Sequence, residues 1–331
     1  MIAPSAERPE VSVVVPNYGS VKHLRNVLAA LARQDRATFE VIVADDGSPN
    51  ADELEAVARN ANMENLRFLR LAHAGPAAAR NAGAAVADGA FLAFTDADCF
   101  PTTTWLAELL DVVRTADVVY GRVTTDRGYL FPRWAAPSGE CYVSANMLCR
   151  AKAFSELGGF RQTFKVPYRE DTDFGFRAAN GAYLVYCAPQ AVVYHPLREQ
   201  SMKKLWTSGL WHKYDAALWQ TFGDSVLADV GKAYTRPIKA LGGFSLVGGA
   251  ITTSIVTSVA CLLNGKPWLA AGVLSALAVG LAASTIVATY DSRDERTPGE
   301  VVKNGLATLP YVAGWYVGRI TGSLDARKFC L

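Results

Sequence analysis

The sequence predicts an α/β fold, a doubly wound and mainly parallel sheet, followed by an apolar helical region. Two observations predict the sheet: short β-branched runs alternate with amphipathic stretches from Val11 to about Val123, and the first run, Val11–Val15, is nearly continuous in valine. Strands buried on both faces read as unbroken apolar runs, and strand–helix alternation lays helices over both faces of a parallel sheet. A third observation, an abrupt loss of charge beyond Ile238, predicts the second region.

In chain order, Val11–Val15 is the first strand, and Ser20 can cap a helix whose Leu24, Val27, Leu28 and Leu31 share one face. Val41–Ala44 is the second strand and Asp52–Asn60 the second helix, with Leu66–Leu71 the third strand. Pro76–Val86 is alanine-rich and helical, with proline in its first turn, where its missing N–H does no harm. Ala90–Thr95 is a fourth strand, Thr104–Arg114 a helix and Val118–Val123 a fifth strand. Ala151–Leu157 and Glu170–Ala179 read as helices stopped by Gly158-Gly159 and Gly181, and Ala182–Cys187 and Ala191–Tyr194 as strands. The segment after Gln200, rich in Trp and Lys, suits either a membrane interface or an ordinary amphipathic helix.

The stretches 241–263 and 268–290 contain no charge and are long enough to cross a hydrocarbon core of roughly 30 Å. Joined by Asn264-Gly265-Lys266-Pro267, they predict a transmembrane hairpin. A weaker stretch, 305–323, contains Pro310 and is read as spanning, re-entrant or interfacial. Lys232, Arg236 and Lys239 precede the first span, and Arg293, Arg296 and Lys303 follow the second, so the positive-inside rule puts both flanks in the cytoplasm. The expected organisation is a tail (1–10), a catalytic domain (11–225) and a membrane region (226–331) of a multi-pass cell (inner) membrane protein whose catalytic domain is cytoplasmic. The start, MIAPSAERPE, lacks the basic and apolar pattern of a signal peptide, and the six cysteines form no C-x-x-C pair, as expected of a reducing compartment. A net charge of +2 with no dense basic tract argues against a nucleic-acid partner.

Chemistry concentrates where predicted strands end. Thr95-Asp96-Ala97-Asp98 follows the fourth strand, and two carboxylates one residue apart there can reach one Mg²⁺ or Mn²⁺ ion and a bound diphosphate. Asp45-Asp46-Gly47-Ser48 follows the second strand, where a carboxylate can accept from a base N–H or a ribose hydroxyl. Pro16-Asn17-Tyr18-Gly19 follows the first strand, with no G-x-G-x-x-G, which argues against a dinucleotide dehydrogenase. In Gly75-Pro76-Ala77-Ala78-Ala79-Arg80-Asn81-Ala82-Gly83, the helix start and Arg80 could face phosphate, or the small residues could pack the helix on the sheet. Glu170, Asp171 and Asp173 crowd a helix start, where the helix dipole favours negative charge. His23, His73 and His212 are read as structural.

In this order, VSVVVPNYGS, FEVIVADDGS, GPAAARNAG, FLAFTDAD, LGGF, YREDTDFGFR and VVYHP resemble the family-2 glycosyltransferases of GT-A fold, over about residues 11–196. The resemblance implies that Pro16, Tyr18 and Asp46 contact the base and ribose, within a donor site that also takes in Asn17, Asp45, Arg80 and Glu170. It implies that Asp96 contacts the ribose or sugar, that Asp98 is the principal metal ligand, that His195 helps bind metal or diphosphate, and that Asp171 is the catalytic base. Glycosyl transfer needs such a base to deprotonate the acceptor hydroxyl, and a cation to neutralise the departing diphosphate. Processive synthases of the family carry Gln-x-x-Arg-Trp after the base; the nearest stretch here, Gln200-Ser201-Met202-Lys203-Lys204-Leu205-Trp206, lacks it, so transfer of a single sugar is expected. The expected donor is a nucleoside-diphosphate sugar, UDP favoured and GDP second, and the expected acceptor is lipid-linked or a glycan, with the loop Thr124–Tyr142 shaping its pocket. Two rivals are a sugar nucleotidyltransferase, which wants a Gly-rich basic loop after the first strand, and a membrane-bound scaffold, which has no need of Asp96, Asp98 and Asp171.

Overall fold

The computed structural model describes residues 8–35, 38–125, 142–196 and 201–222 without 212, together with Asn264, Val317 and Thr321. The chain divides into two compact units, Met1–Asp126 with Ala135–Leu197, and Arg127–Trp134 with Arg198–Leu331.

In the first unit, strand β1 (Val11–Asn17) leads through helix α1 (Val21–Leu31) to β2 (Phe39–Asp45), α2 (Ala51–Arg59), β3 (Leu66–Arg70), α3 (Pro76–Ala85) and β4 (Phe91–Phe94). The Oγ of Ser20 accepts from the His23 N–H, as its place before α1 predicts. A two-residue strand β5 (Phe100–Pro101) precedes α4 (Trp105–Val113) and β6 (Val118–Thr124). A single 3₁₀ turn, Ser144–Asn146, then opens β7 (Met147–Arg150), followed by α5 (Ala151–Glu156), α6 (Glu170–Asn180) and β8 (Val185–Tyr194).

The eight strands lie in the order β3–β2–β1–β4–β7–β6–β8–β5. The period-2 geometry of strands divides their side chains between two cores. Val11, Val13 and Val15 point into one with Leu24 and Leu28 of α1, Leu54 of α2 and Trp105 and Leu109 of α4. Val14, Leu92 and Phe94 point into the other with Ala77 of α3, Phe154 of α5 and Phe174 of α6. Helices thus cover both faces, as predicted.

The sheet is more mixed than expected. β1 runs parallel to β2 and β4, β2 to β3, and β6 to β8, but β7 is antiparallel to both β4 and β6, and β5 to β8. The two strands expected at 182–187 and 191–194 are one, β8, interrupted by a register shift against Gly121/Arg122 of β6. Asn146 fits that irregularity: its Nδ2 donates to the carbonyls of Arg122 (3.0 Å) and Ala191 (2.9 Å), and its Oδ1 accepts from Trp105 Nε1 (2.8 Å).

In the second unit the Trp- and Lys-rich stretch forms α7 (Met202–Leu210), capped by the Ser201 hydroxyl, and α8 (Lys213–Phe222). The expectation of a multi-pass membrane protein is corrected here, since among the described residues no helix is long and apolar enough to cross a membrane. The stretches on which it rested, 241–263, 268–290 and all of 305–323 except Val317 and Thr321, lie outside the described residues, as does 126–141 of the expected acceptor loop.

Candidate active site

Register alone assembles the site. Asn17 pairs with Asp45 and Val14 with Phe94, so the carboxyl ends of β1, β2 and β4 come out on one edge of the sheet. Met147 pairs with Phe94 in the antiparallel sense, which brings the turn before β7 to that edge, and Thr124 pairs with Tyr194, which brings His195 there. β5 then fixes the loop after β4: Phe100 pairs with Tyr194, so Asp98 and His195 are held by adjacent ladder positions.

At the end of β2 the two aspartates part company. Asp45 is buried; it accepts from the Ser48 N–H (3.0 Å), the Ser48 hydroxyl and, at 3.3 Å, Asn17 Nδ2, so Asn17 and Asp45 brace the two loops against each other. Asp46 reaches the loop after β3, accepting from the N–H groups of Ala74 (2.8 Å) and Gly75 (3.0 Å) and meeting His73 Nδ1 at 2.9 Å. Gly47, at φ +75°, permits this: a Cβ there would lie 2.7 Å from the His73 nitrogen. Tyr18, a residue 57% exposed, packs its ring against His73 with centroids 4.9 Å apart, and Pro16 precedes it at the end of β1. His73, read from sequence as structural, therefore belongs with Tyr18 and Asp46. The one sequence signal for it was its position at the end of a strand.

Asp96, Asp98, Cys99 and His195 each offer a ligand atom, all within 4.8 Å of one another. His195 Nδ1 lies 3.1 Å from the Pro196 carbonyl, which can only accept, so Nδ1 carries a proton, and in the neutral imidazole Nε2 then presents its lone pair. That Nε2 is 3.5 Å from Asp98 Oδ2. Two carboxylates and a neutral imidazole fit a hard divalent cation such as Mg²⁺ or Mn²⁺. The Cys99 thiol is pushed well above its ordinary value by burial and by the carboxylates of Asp96 and Asp98, so it stays protonated and is a poor ligand for such an ion.

Arg80, expected near the donor, is 3% exposed. Its Nη2 donates to Asp96 Oδ1 (2.7 Å) and its Nη1 to Glu170 Oε1 (2.8 Å). Asn81 beside it exchanges hydrogen bonds with the backbone of Phe160, which ties the GPAAARNAG helix to the LGGF turn.

Glu170 and Asp171 open α6 after Arg169, a non-glycine residue at φ 76°, and such left-handed backbone carries strain of about 1 kcal/mol or more. Asp171 Oδ1 accepts from the Thr172 N–H (2.7 Å) and Oδ2 from the Ser144 N–H (3.3 Å), which orients the carboxyl. Burial raises the pKa of both acids; for Glu170 the neighbouring Asp171 raises it further. Asp173, third of the acidic cluster, is fully buried between Arg161 (2.9 Å) and Arg177 (2.8 Å) and holds α6 in place.

The two-faced sheet with acids and a histidine gathered on its carboxyl edge is that of a GT-A type α/β domain. The chain belongs to glycosyl transferase family 2, whose model matches residues 12–180. It is 32% identical over 199 residues to the succinoglycan biosynthesis protein ExoM of Rhizobium meliloti, covering 54% of this chain and 63% of that protein. It is 30% identical over 213 residues to the pre-mycofactocin glycosyltransferase of Mycobacterium tuberculosis, covering 58% of this chain and 43% of that protein. The chain thus spans less than two thirds of the length of either relative. Among solved structures, the mannosyltransferase PcManGT of Pyrobaculum calidifontis in complex with GDP-Man and Mn²⁺ superposes with a TM-score of 0.59 at 16% identity, covering 94% of this chain and 88% of that one. Residues 1–349 of Staphylococcus aureus TarS in complex with UDP-GlcNAc superpose with a TM-score of 0.51 at 18% identity, covering 96% and 92%. At those identities the likeness is one of fold.

Proposed function

We propose that the chain transfers a single sugar from a nucleoside-diphosphate sugar to a hydroxyl of a glycan acceptor, by direct displacement with inversion at the anomeric carbon. The observation that carries this reading is the convergence of Asp96, Asp98 and His195 on one edge of the sheet, with Asp171 held at the same edge by Ser144. Tyr18 and His73 offer ring faces for the base, and Asp46 fixes the loop that carries His73. A UDP-sugar is the favoured donor and a GDP-sugar the second; structural neighbours in complex with UDP-GlcNAc and with GDP-Man support a donor of this class.

In the proposed reaction Asp171 takes the proton of the acceptor hydroxyl as that oxygen bonds to the anomeric carbon. The bond from that carbon to the diphosphate breaks, and its electron pair leaves with the nucleoside diphosphate. A Mg²⁺ or Mn²⁺ ion held by Asp98 and His195, with Asp96, would neutralise the charge gathering on the diphosphate. Asp171→Asn tests the assignment: transfer from UDP- or GDP-sugars to a panel of glycans falls about 10²- to 10⁴-fold, while donor affinity is kept. A variant that transfers at the wild-type rate rules Asp171 out as the base.

A further inference from the structure

Arg80 lies on α3, and its guanidinium joins two segments that the chain brings in from different places. Nη2 holds Asp96, on the loop after β4, and Nη1 holds Glu170, in the first turn of α6. The Phe160 ring lies against the guanidinium, its centroid 5.7 Å from Cζ, and the residue is 3% exposed. Arg80 Nε and Glu170 Oε2 are both buried and without a hydrogen-bond partner among the described residues, so the geometry serves this bridge rather than complete pairing. A guanidinium with both ends engaged and a ring against it turns no open fork towards a diphosphate. Its planar, rigid donors do suit fixing two carboxylates at a set distance and angle, which a lysine ammonium cannot do.

We propose that Arg80 is a positioning residue that locks the Asp96–Asp98 loop to the start of α6, and so sets the cation ligands relative to Asp171, without binding the donor. The inference rests on the roles proposed above for Asp98 and Asp171. It predicts an effect of opposite sign to simple electrostatics. A buried positive charge beside Asp96 repels an incoming cation, so its removal alone would tighten metal binding. If Arg80 instead holds the loop in its binding geometry, its removal loosens metal binding.

The experiment is Mn²⁺ binding in the absence of any donor, followed by the electron paramagnetic resonance of the free ion, with the thermal midpoint measured alongside. Arg80→Gln, neutral and too short to bridge both acids, is expected to bind Mn²⁺ at least about 10-fold more weakly, the scale found when residues supporting metal ligands are removed. Glu170→Gln keeps an oxygen that accepts from Arg80 and is expected to stay within about 3-fold of wild type, under 1 kcal/mol. Arg80→Lys keeps the charge but not the bridge and is expected to weaken binding; it decides the matter should Arg80→Gln fail to fold. A folded Arg80→Gln that binds Mn²⁺ as tightly as wild type, or an unaffected Arg80→Lys, overturns the inference alone. A wild-type chain that binds no Mn²⁺ overturns the metal role of Asp98 and this inference together.

Discussion

One guanidinium, that of Arg80, faces the carboxyls of Asp96, Glu170 and, at longer range, Asp171; burial opposes its charge, but the acids outweigh burial and hold it protonated. Burial penalises the charge of both Glu170 and Asp171 beside this one cation, so the pair retains a proton above the pH at which ordinary carboxyls lose theirs. The Arg80 contact with Glu170 Oε1 is compatible with this, because a protonated acid still accepts at its carbonyl oxygen. Two consequences follow for pH. The folded chain holds a proton that the unfolded chain, with Glu170 near 4.5, has released, so metal-free stability falls as pH rises from there through the raised folded value. As the proposed base, Asp171 works only when deprotonated, so kcat is expected to rise with pH along a limb above the ordinary carboxylate range. With Glu170 holding that proton, Asp171 loses its own first. Glu170→Gln, neutral like the acid it replaces, is expected to leave that limb in place, which a pH–kcat profile of both proteins reads directly; a limb moved to lower pH contradicts this division of the proton. At this scale the sequence showed which residue types carry chemistry but not what each one touches. Asp45 and Asp46 are indistinguishable in the string VADDGS, yet one braces a loop and the other holds His73. That Arg80 joins Asp96 and Glu170 was not legible either, because an alanine-rich helix start says nothing about which acids lie beneath it.

Strands long enough to show a pattern were read to within two residues of their ends: Val11–Val15 for β1, Val41–Ala44 for β2 and Val118–Val123 for β6. The two-residue β5 was missed, since so short a run has no periodicity to detect, and so was the four-residue β7. Both matter to the site, because β5 sets Asp98 against His195 and β7 delivers Ser144 to Asp171. The small-residue reading of the GPAAARNAG helix is borne out at Gly83. A Cβ built there lies 2.5 Å from Cγ1 of Val14, a stiff, buried side chain of β1. Gly83→Ala improves helix propensity by about 1 kcal/mol. Overpacking a rigid core typically costs about 1–3 kcal/mol. The second effect is expected to win, giving a net loss of about 1 kcal/mol in urea unfolding; a stabilised variant would mean that α3 moves off the sheet freely.

For the whole molecule, the alternation of strands and helices was enough to predict helices on both faces and ligands at the carboxyl edge, and both cores and the gathered site residues follow that plan. The antiparallel β7 was not legible, because strand direction depends on long-range pairing that a local pattern does not encode. Uncharged length predicted a membrane hairpin, and no described helix bears it out. The central claim is that the edge built by β1, β2, β4 and β8 binds a nucleotide sugar through a divalent cation on Asp98. Calorimetric titration of UDP-GlcNAc and GDP-mannose into the full chain, with Mn²⁺ and with EDTA, for wild type and Asp98→Ala, tests it most directly. The expected result is that wild type binds one of these donors only with Mn²⁺, and that Asp98→Ala loses about 10-fold or more in affinity while keeping its thermal midpoint. Donor binding that survives both EDTA and Asp98→Ala, or no binding of either donor by wild type, would contradict it.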